Sequence, residues 1–140
     1  MAREIVTDQS QEIGAMNGFL ADVSSDQAKT VGDGISMDWM SHPVASGRMP
    51  GLATKADFDR LAAESGVQAA DDFSRLMITH HEAGVEMADY AAAHGENEQV
   101  REFARRMAKT QRFEIGEMNL RRTAIGLAAV NPSGLIQAHG

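Results

Sequence analysis

The sequence predicts an all-α fold: an antiparallel helical bundle with three long helices, one short helix and a long loop. Three observations carry that reading. Apolar residues recur at three- and four-residue spacing through three long stretches, the mark of one buried helical face. Only the residues around Gly95 separate the last two stretches, a link so short that they fold back on each other as an antiparallel hairpin. No stretch alternates apolar and polar residues over the length of a strand.

Helix one covers about residues 2–22, where Ile5, Gln9, Glu12, Met16 and Leu20 share a face. Ser24 to Gly51 is rich in breakers (Gly32, Gly34, Pro43, Gly47, Pro50 and Gly51) and makes residues 24–52 a loop. Thr54 followed by Asp57 resembles a capping box, in which hydroxyl and carboxylate each satisfy the other's backbone N–H; it opens a short helix ending at Ser65-Gly66. Helix three runs from about Gln68 to His94 and stops at Gly95. Helix four runs from about Asn97 to Ala129 and stops at Asn131-Pro132, because proline has no N–H to continue the ladder. The terminal helix (1–23), the loop, a complete helical unit (53–130) and a flexible tail (131–140) are read as one compact domain.

Composition excludes several functions. A net charge of −7 argues against nucleic acid, whose phosphates reward basic stripes. The longest apolar run, around Ile125 to Val130, is far too short to span a bilayer, and the first residues lack the apolar core of a signal peptide. The absence of cysteine closes the thiolate route to zinc and iron–sulfur chemistry. There is no glycine-rich phosphate loop, nucleophile elbow or His-Glu-x-x-His motif, and no Glu-x-x-His for a di-iron bundle; no catalysis is expected. Aromatic residues are only 5% of the chain, so the core is built from Ala, Leu, Ile, Val and nine methionines.

Residues 3–17 align without gaps on 105–119, with seven identities in fifteen positions that include Glu12-Ile13-Gly14 against Glu114-Ile115-Gly116. The chain therefore reads as one complete unit plus the end of another whose own hairpin partner is missing. Helix one would then present a stripe that needs cover, either by docking on its own chain's hairpin or by packing against a second copy, and two-fold association through residues 2–22 is the expected solution.

The most informative segment is Met77-Ile78-Thr79-His80-His81-Glu82-Ala83-Gly84-Val85-Glu86-Met87. Two imidazoles and two thioethers form a soft ligand set that suits copper better than calcium or magnesium. An ordinary buried helix with a satisfied histidine fits the same residues. On helix three, Phe73, Met77, His81, Gly84, Ala88 and Ala91 share a face, with His80 and His81 flanking its centre. On helix four, Val100, Phe103, Met107, Gln111, Glu114, Met118 and Ile125 form one stripe, so Gln111 and Glu114 point at the core, as Gln9 and Glu12 do on helix one. A buried carboxylate is costly unless it is paired, and His80 or His81 is the expected partner of Glu114. That pair either orients an imidazole whose other nitrogen binds metal or fixes helix register. In the loop, Met37, Met40, His42 and Met49 either wrap a soft ion or seal the end of the bundle. Arg101, Arg105, Lys109 and Arg112, interleaved with Glu98 and Glu102, form a solvated face.

Met49-Pro50-Gly51-Leu52, then Phe73-x-x-x-Met77-Ile78-x-His80-His81-x-x-Gly84-x-x-Met87-Ala88, then Gln111-x-x-Glu114-Ile115-x-x-Met118 resembles a bacterial family named domain of unknown function 305. The resemblance covers roughly residues 49–120 as a full unit, with helix one like the end of a preceding unit. It implies a small ferritin-like bundle, often exported, in which some members are associated with copper through His and Met. Carried onto this chain, that implication falls on His80, His81, Met77, Met87 and Met118 and on the turn at Met49; His42 is a candidate donor from the loop residues themselves. Helix one lacks a preceding His-His helix, so a first-unit site does not form within one chain. The expectation is a non-catalytic protein that stores or delivers copper, exported as part of its parent and handing metal to a partner. The alternative is a helical scaffold with a structural His–Glu–Gln network.

Overall fold

The computed structural model describes residues 1–22, 35–45 and 48–131. Part of the expected loop and residues 132–140, including the Pro132 stop signal and most of the expected tail, lie outside the described residues. Four α-helices dominate: α1 over Ala2–Ala21, α2 over Lys55–Ala63, α3 over Gly66–His94 and α4 over Glu98–Ala124. The loop contributes a 3-10 turn at Asp38–Met40 and two two-residue strands, β1 (Ile35–Ser36) and β2 (Val44–Ala45), that pair with each other. Packing divides the chain into two compact units, residues 1–35 and 36–140.

Local chemistry explains where the helices begin. The Thr54 hydroxyl accepts from the Asp57 N–H at 3.2 Å while the Asp57 carboxylate accepts from the Thr54 N–H at 2.8 Å, the reciprocal box expected at the head of α2. The Asn97 side chain accepts from the N–H groups of Gln99 and Val100 at the head of α4. Helix α4 ends five residues before the expected Ala129. Gly126 takes φ +83, Leu127 donates its N–H to Arg122 O at 2.9 Å and Gly126 donates to Thr123 O at 3.1 Å. That is a Schellman closure, and it acts upstream of the proline taken as the stop. Ile125 consequently lies outside the helix and is exposed rather than part of the buried stripe.

The second unit is built on the α3–α4 hairpin. Near the link the two helices meet on alanines, Ala88 against Ala104 and Ala108, with Ala91 and Ala92 beside them. Such small side chains let the helix axes approach closely. Ile78 and Met118 are fully buried further along, and Met37 and Met40 are buried from the loop. That burial is the placement the sealing alternative expects of Met37 and Met40.

The far end of the hairpin is held by a side chain absent from the sequence reading. Arg122 is 2% exposed, donates from Nη1 to the Ser74 hydroxyl at 2.6 Å and to Asp71 O at 3.1 Å, and its Nη2 lies 2.7 Å from the Asp71 carboxylate. Its Nε donates to Ala128 O at 2.9 Å, and Asn119 exchanges two hydrogen bonds with the Val130 backbone, so the segment after α4 is clamped back along that helix. The Arg122 guanidinium, with Arg75 as a lesser contributor, holds the Asp71 carboxyl below its usual range.

Candidate functional site

Both adjacent histidines sit mid-helix on α3, and a 100° turn between neighbours gives them opposite surroundings. His81 is 0% exposed, with Nδ1 2.8 Å from Met77 O and Nε2 2.9 Å from the Glu114 carboxylate of α4. Both neighbours are acceptors in their ordinary states. The contacts are satisfied either by an imidazolium that donates to a carboxylate or by a neutral ring whose Nε2 accepts a hydrogen bond from a protonated Glu114 carboxyl. In both forms His81 keeps no lone pair for a metal. Beside this pair, Gln111 lies so close to Gly84 that a Cβ on Gly84 would collide with its side-chain amide. His81 and Glu114 therefore form a buried polar contact across the hairpin, with Gln111 packed closely against Gly84 beside it.

His80 is exposed. Its Nδ1 donates to Gly51 O at 3.2 Å, and Nε2 has no hydrogen-bond partner among the described residues. Gly51 belongs to the turn Met49–Leu52, closed by Leu52 N–H to Met49 O at 3.2 Å. Pro50 supplies the fixed φ of the second position and Gly51 takes φ +80 at the third, the pattern of a type II turn. A Cβ on Gly51 would stand 2.7 Å from Ala83 Cβ and 3.0 Å from His80 Cα, so only glycine lets the turn sit directly on α3. The turn presses against the helix at His80 and sets its ring.

The other candidate ligands are distributed unevenly. Met77 is half-buried one turn before His80, and Met87 is half-buried two turns beyond it. Met49 is half-buried at the start of the turn, and His42 is exposed in the loop. Met118 is 1% exposed, sealed in the core one turn past Glu114. Gln9 and Glu12, expected to mirror Gln111 and Glu114, are half-buried on α1 in the first unit. Among the described residues no group of three or more His, Asp or Glu side chains converges, so a hard-ligand cage is absent from them. Burial, and then the Glu86 charge one turn away, pushes the Glu82 carboxyl above its usual range, and burial does the same to Glu86. Two further features were outside the sequence reading. Trp39 meets Tyr90 edge-on at 5.4 Å, and Tyr90 stacks on His94 at 4.1 Å, which pins the 3-10 turn to the end of α3. His94 also donates from Nδ1 to Tyr90 O at 3.0 Å at the C-terminal end of α3.

Residues 1–121, which include the Met-Pro-Gly turn on α3, the His-His pair and the Gln111/Glu114 face, match one family model, domain of unknown function (DUF305). The chain belongs to the domain of unknown function 305 family. The match runs through helix one, the loop and the hairpin together, whereas the motifs alone marked a full unit only over about 49–120. A solved structure of the same family, a candidate secreted protein from Streptomyces coelicolor, is similar at 28% identity and a TM-score of 0.73, covering 95% of this chain and 76% of that one. No curated protein matches the chain. In this member of the domain of unknown function 305 family, no helix among the described residues is long and apolar enough to cross a membrane.

Proposed function

We propose that this chain binds a soft metal ion, copper, as cargo for storage or delivery, and catalyses no reaction. The observation that supports this most directly is the exposed His80 ring, whose Nδ1–H is committed to Gly51 O while Nε2 has no partner among the described residues. Metal-binding imidazoles are held in this way, one nitrogen fixing the tautomer and the other offered to the ion. Met77 and Met49 are the nearest thioethers along the helix and the turn, and Met87, Met118 and His42 complete the soft-donor set of the sequence. Thioether with neutral imidazole favours copper over magnesium or calcium. His81 acts through the helix it locks, not as a ligand. Two neighbouring helix residues diverge by about 100°, so one ion does not draw on both within a chain.

A second reading rests on the His81–Glu114 bond at 2.9 Å. With both His81 nitrogens engaged, the chain is a non-catalytic helical scaffold whose polar lock fixes register. Either reading includes self-association through residues 2–22, where Val6, Ile13 and Leu20 are exposed at seven-residue spacing. Export is proposed from the likeness to a candidate secreted relative, with an extracytoplasmic acceptor of the metal as partner. Titration of metal-stripped protein with copper(I) and copper(II), followed by elemental analysis, separates the two readings. Stoichiometric uptake supports the first, and no uptake supports the second.

A further inference from the structure

The outward face of α4 carries an open groove of about 530 Å³ that the metal reading does not use. Its lining follows a seven-residue pattern. Phe113 and Leu120 are seven apart and 68% and 65% exposed, and Gly116 and Thr123 lie three residues after each. These four occupy the a and d positions of a helix-pairing seam. Arg112 and Glu117, which also line the groove, take the flanking g and e positions. A Cβ on Gly116 would meet nothing within 4 Å, so one d position is a hole. Ala129, on the segment that Asn119 clamps to α4, supplies a wall beside it.

We propose that this groove receives the same face of a second copy, in a parallel two-fold crossing of α4 on α4. The charge pattern commits the occupant. In a parallel helix pair, a g residue faces the e residue five positions later on the other helix. Arg112 therefore meets the second copy's Glu117, and the two-fold axis repeats the pair on the other side. An antiparallel crossing would bring like flanks together and pair neither. Phe113 packs over the hole at the second copy's Gly116, which removes the two most exposed large apolar side chains of the helix from water. Within the chain Arg112 pairs with Asp89, and Glu117 lies 3.9 Å from Arg121. A guanidinium with five donors serves both partners. The surface belongs wholly to the second unit and is separate from the association through helix one.

The test is light scattering or sedimentation of the full chain from micromolar to millimolar concentration, with helicity followed by circular dichroism. The wild type self-associates. Arg112→Glu and Glu117→Arg each set like charges across the seam twice and weaken association by about tenfold or more. The double variant R112E/E117R restores it, and a one-to-one mixture of the single variants associates better than either alone. Asp89→Ala, which removes only the intrachain partner, leaves association unchanged. A wild-type chain that stays monomeric throughout, as when a segment of the same chain covers the groove, overturns the proposal. So do single variants that associate like wild type, or a double variant and mixture that show no rescue.

Discussion

His80 and His81 are neighbours in the chain with opposite surroundings, and most of the account turns on that difference. The apolar stripe of α3 has the two flanking its centre, one on either side, because a projection at fixed angle cannot say which side the partner helix favours. Glu114 decides it. Once its carboxylate is buried it takes His81, and His80 is left to the Met-Pro-Gly turn. His81→Ala leaves that carboxylate buried without its partner and costs about 3–5 kcal/mol in urea unfolding, whereas His80→Ala changes stability by less than about 1 kcal/mol. Equal losses would contradict the assignment. Glu86 offers a test of opposite sign. Burial raises its carboxyl above the ordinary 4.5, and Oε2 is buried without a hydrogen-bond partner among the described residues. A raised carboxyl binds its proton more readily in the folded chain, so its charge weakens the fold above that pKa and the penalty fades as pH falls through it. Glu86→Gln accordingly raises the Tm at neutral pH, with the gain vanishing below the usual carboxylate range; a gain that persists unchanged in acid would show another cause.

At the scale of elements, the readable signals were those in which a side chain meets the backbone locally. The capping box at Thr54 and Asp57 and the stop at Gly95 needed no knowledge of tertiary contacts. The Asp57 carboxyl is lowered to about 2, first by the Thr54 side chain and then by the Thr54 backbone and Arg60. A depressed carboxyl contributes stability that is complete above its unfolded value of 3.8 and is lost as pH falls through about 2. Amide exchange of the first turn of α2 should therefore accelerate over that window, and Asp57→Asn should flatten the dependence. The end of α4 was misplaced because Pro132 drew the boundary, although Gly126 six residues earlier held the real signal, a left-handed cap inside an apolar run. Gly51 was legible only as part of a motif. Its close approach to Ala83 is a tertiary fact, and Gly51→Ala should cost about 1–3 kcal/mol and release the His80 ring. Loss of the His80 Nδ1 hydrogen bond by imidazole nitrogen chemical shift checks it, and an unchanged shift would contradict the role of the turn.

At the scale of the whole molecule, the antiparallel hairpin followed from loop length and apolar period, and its register followed from Gln111 and Glu114 facing the His-His segment. Arg122 was not legible, because a buried arginine looks like any other helix-end base until Asp71 and Ser74 are brought to it from fifty residues away. Family membership carries fold and motif positions without chemistry, so function rests on two histidines that one packing event has separated. The account makes His80 the ligand and His81 the lock. Copper(I) titration of metal-stripped wild type, His80→Ala and His81→Ala, each under conditions where circular dichroism shows it folded, tests this directly. The account predicts stoichiometric binding by wild type, a loss of about tenfold or more in affinity for His80→Ala, and near-wild-type affinity for folded His81→Ala. Equal large losses in both variants, or no uptake by the wild type, would contradict it.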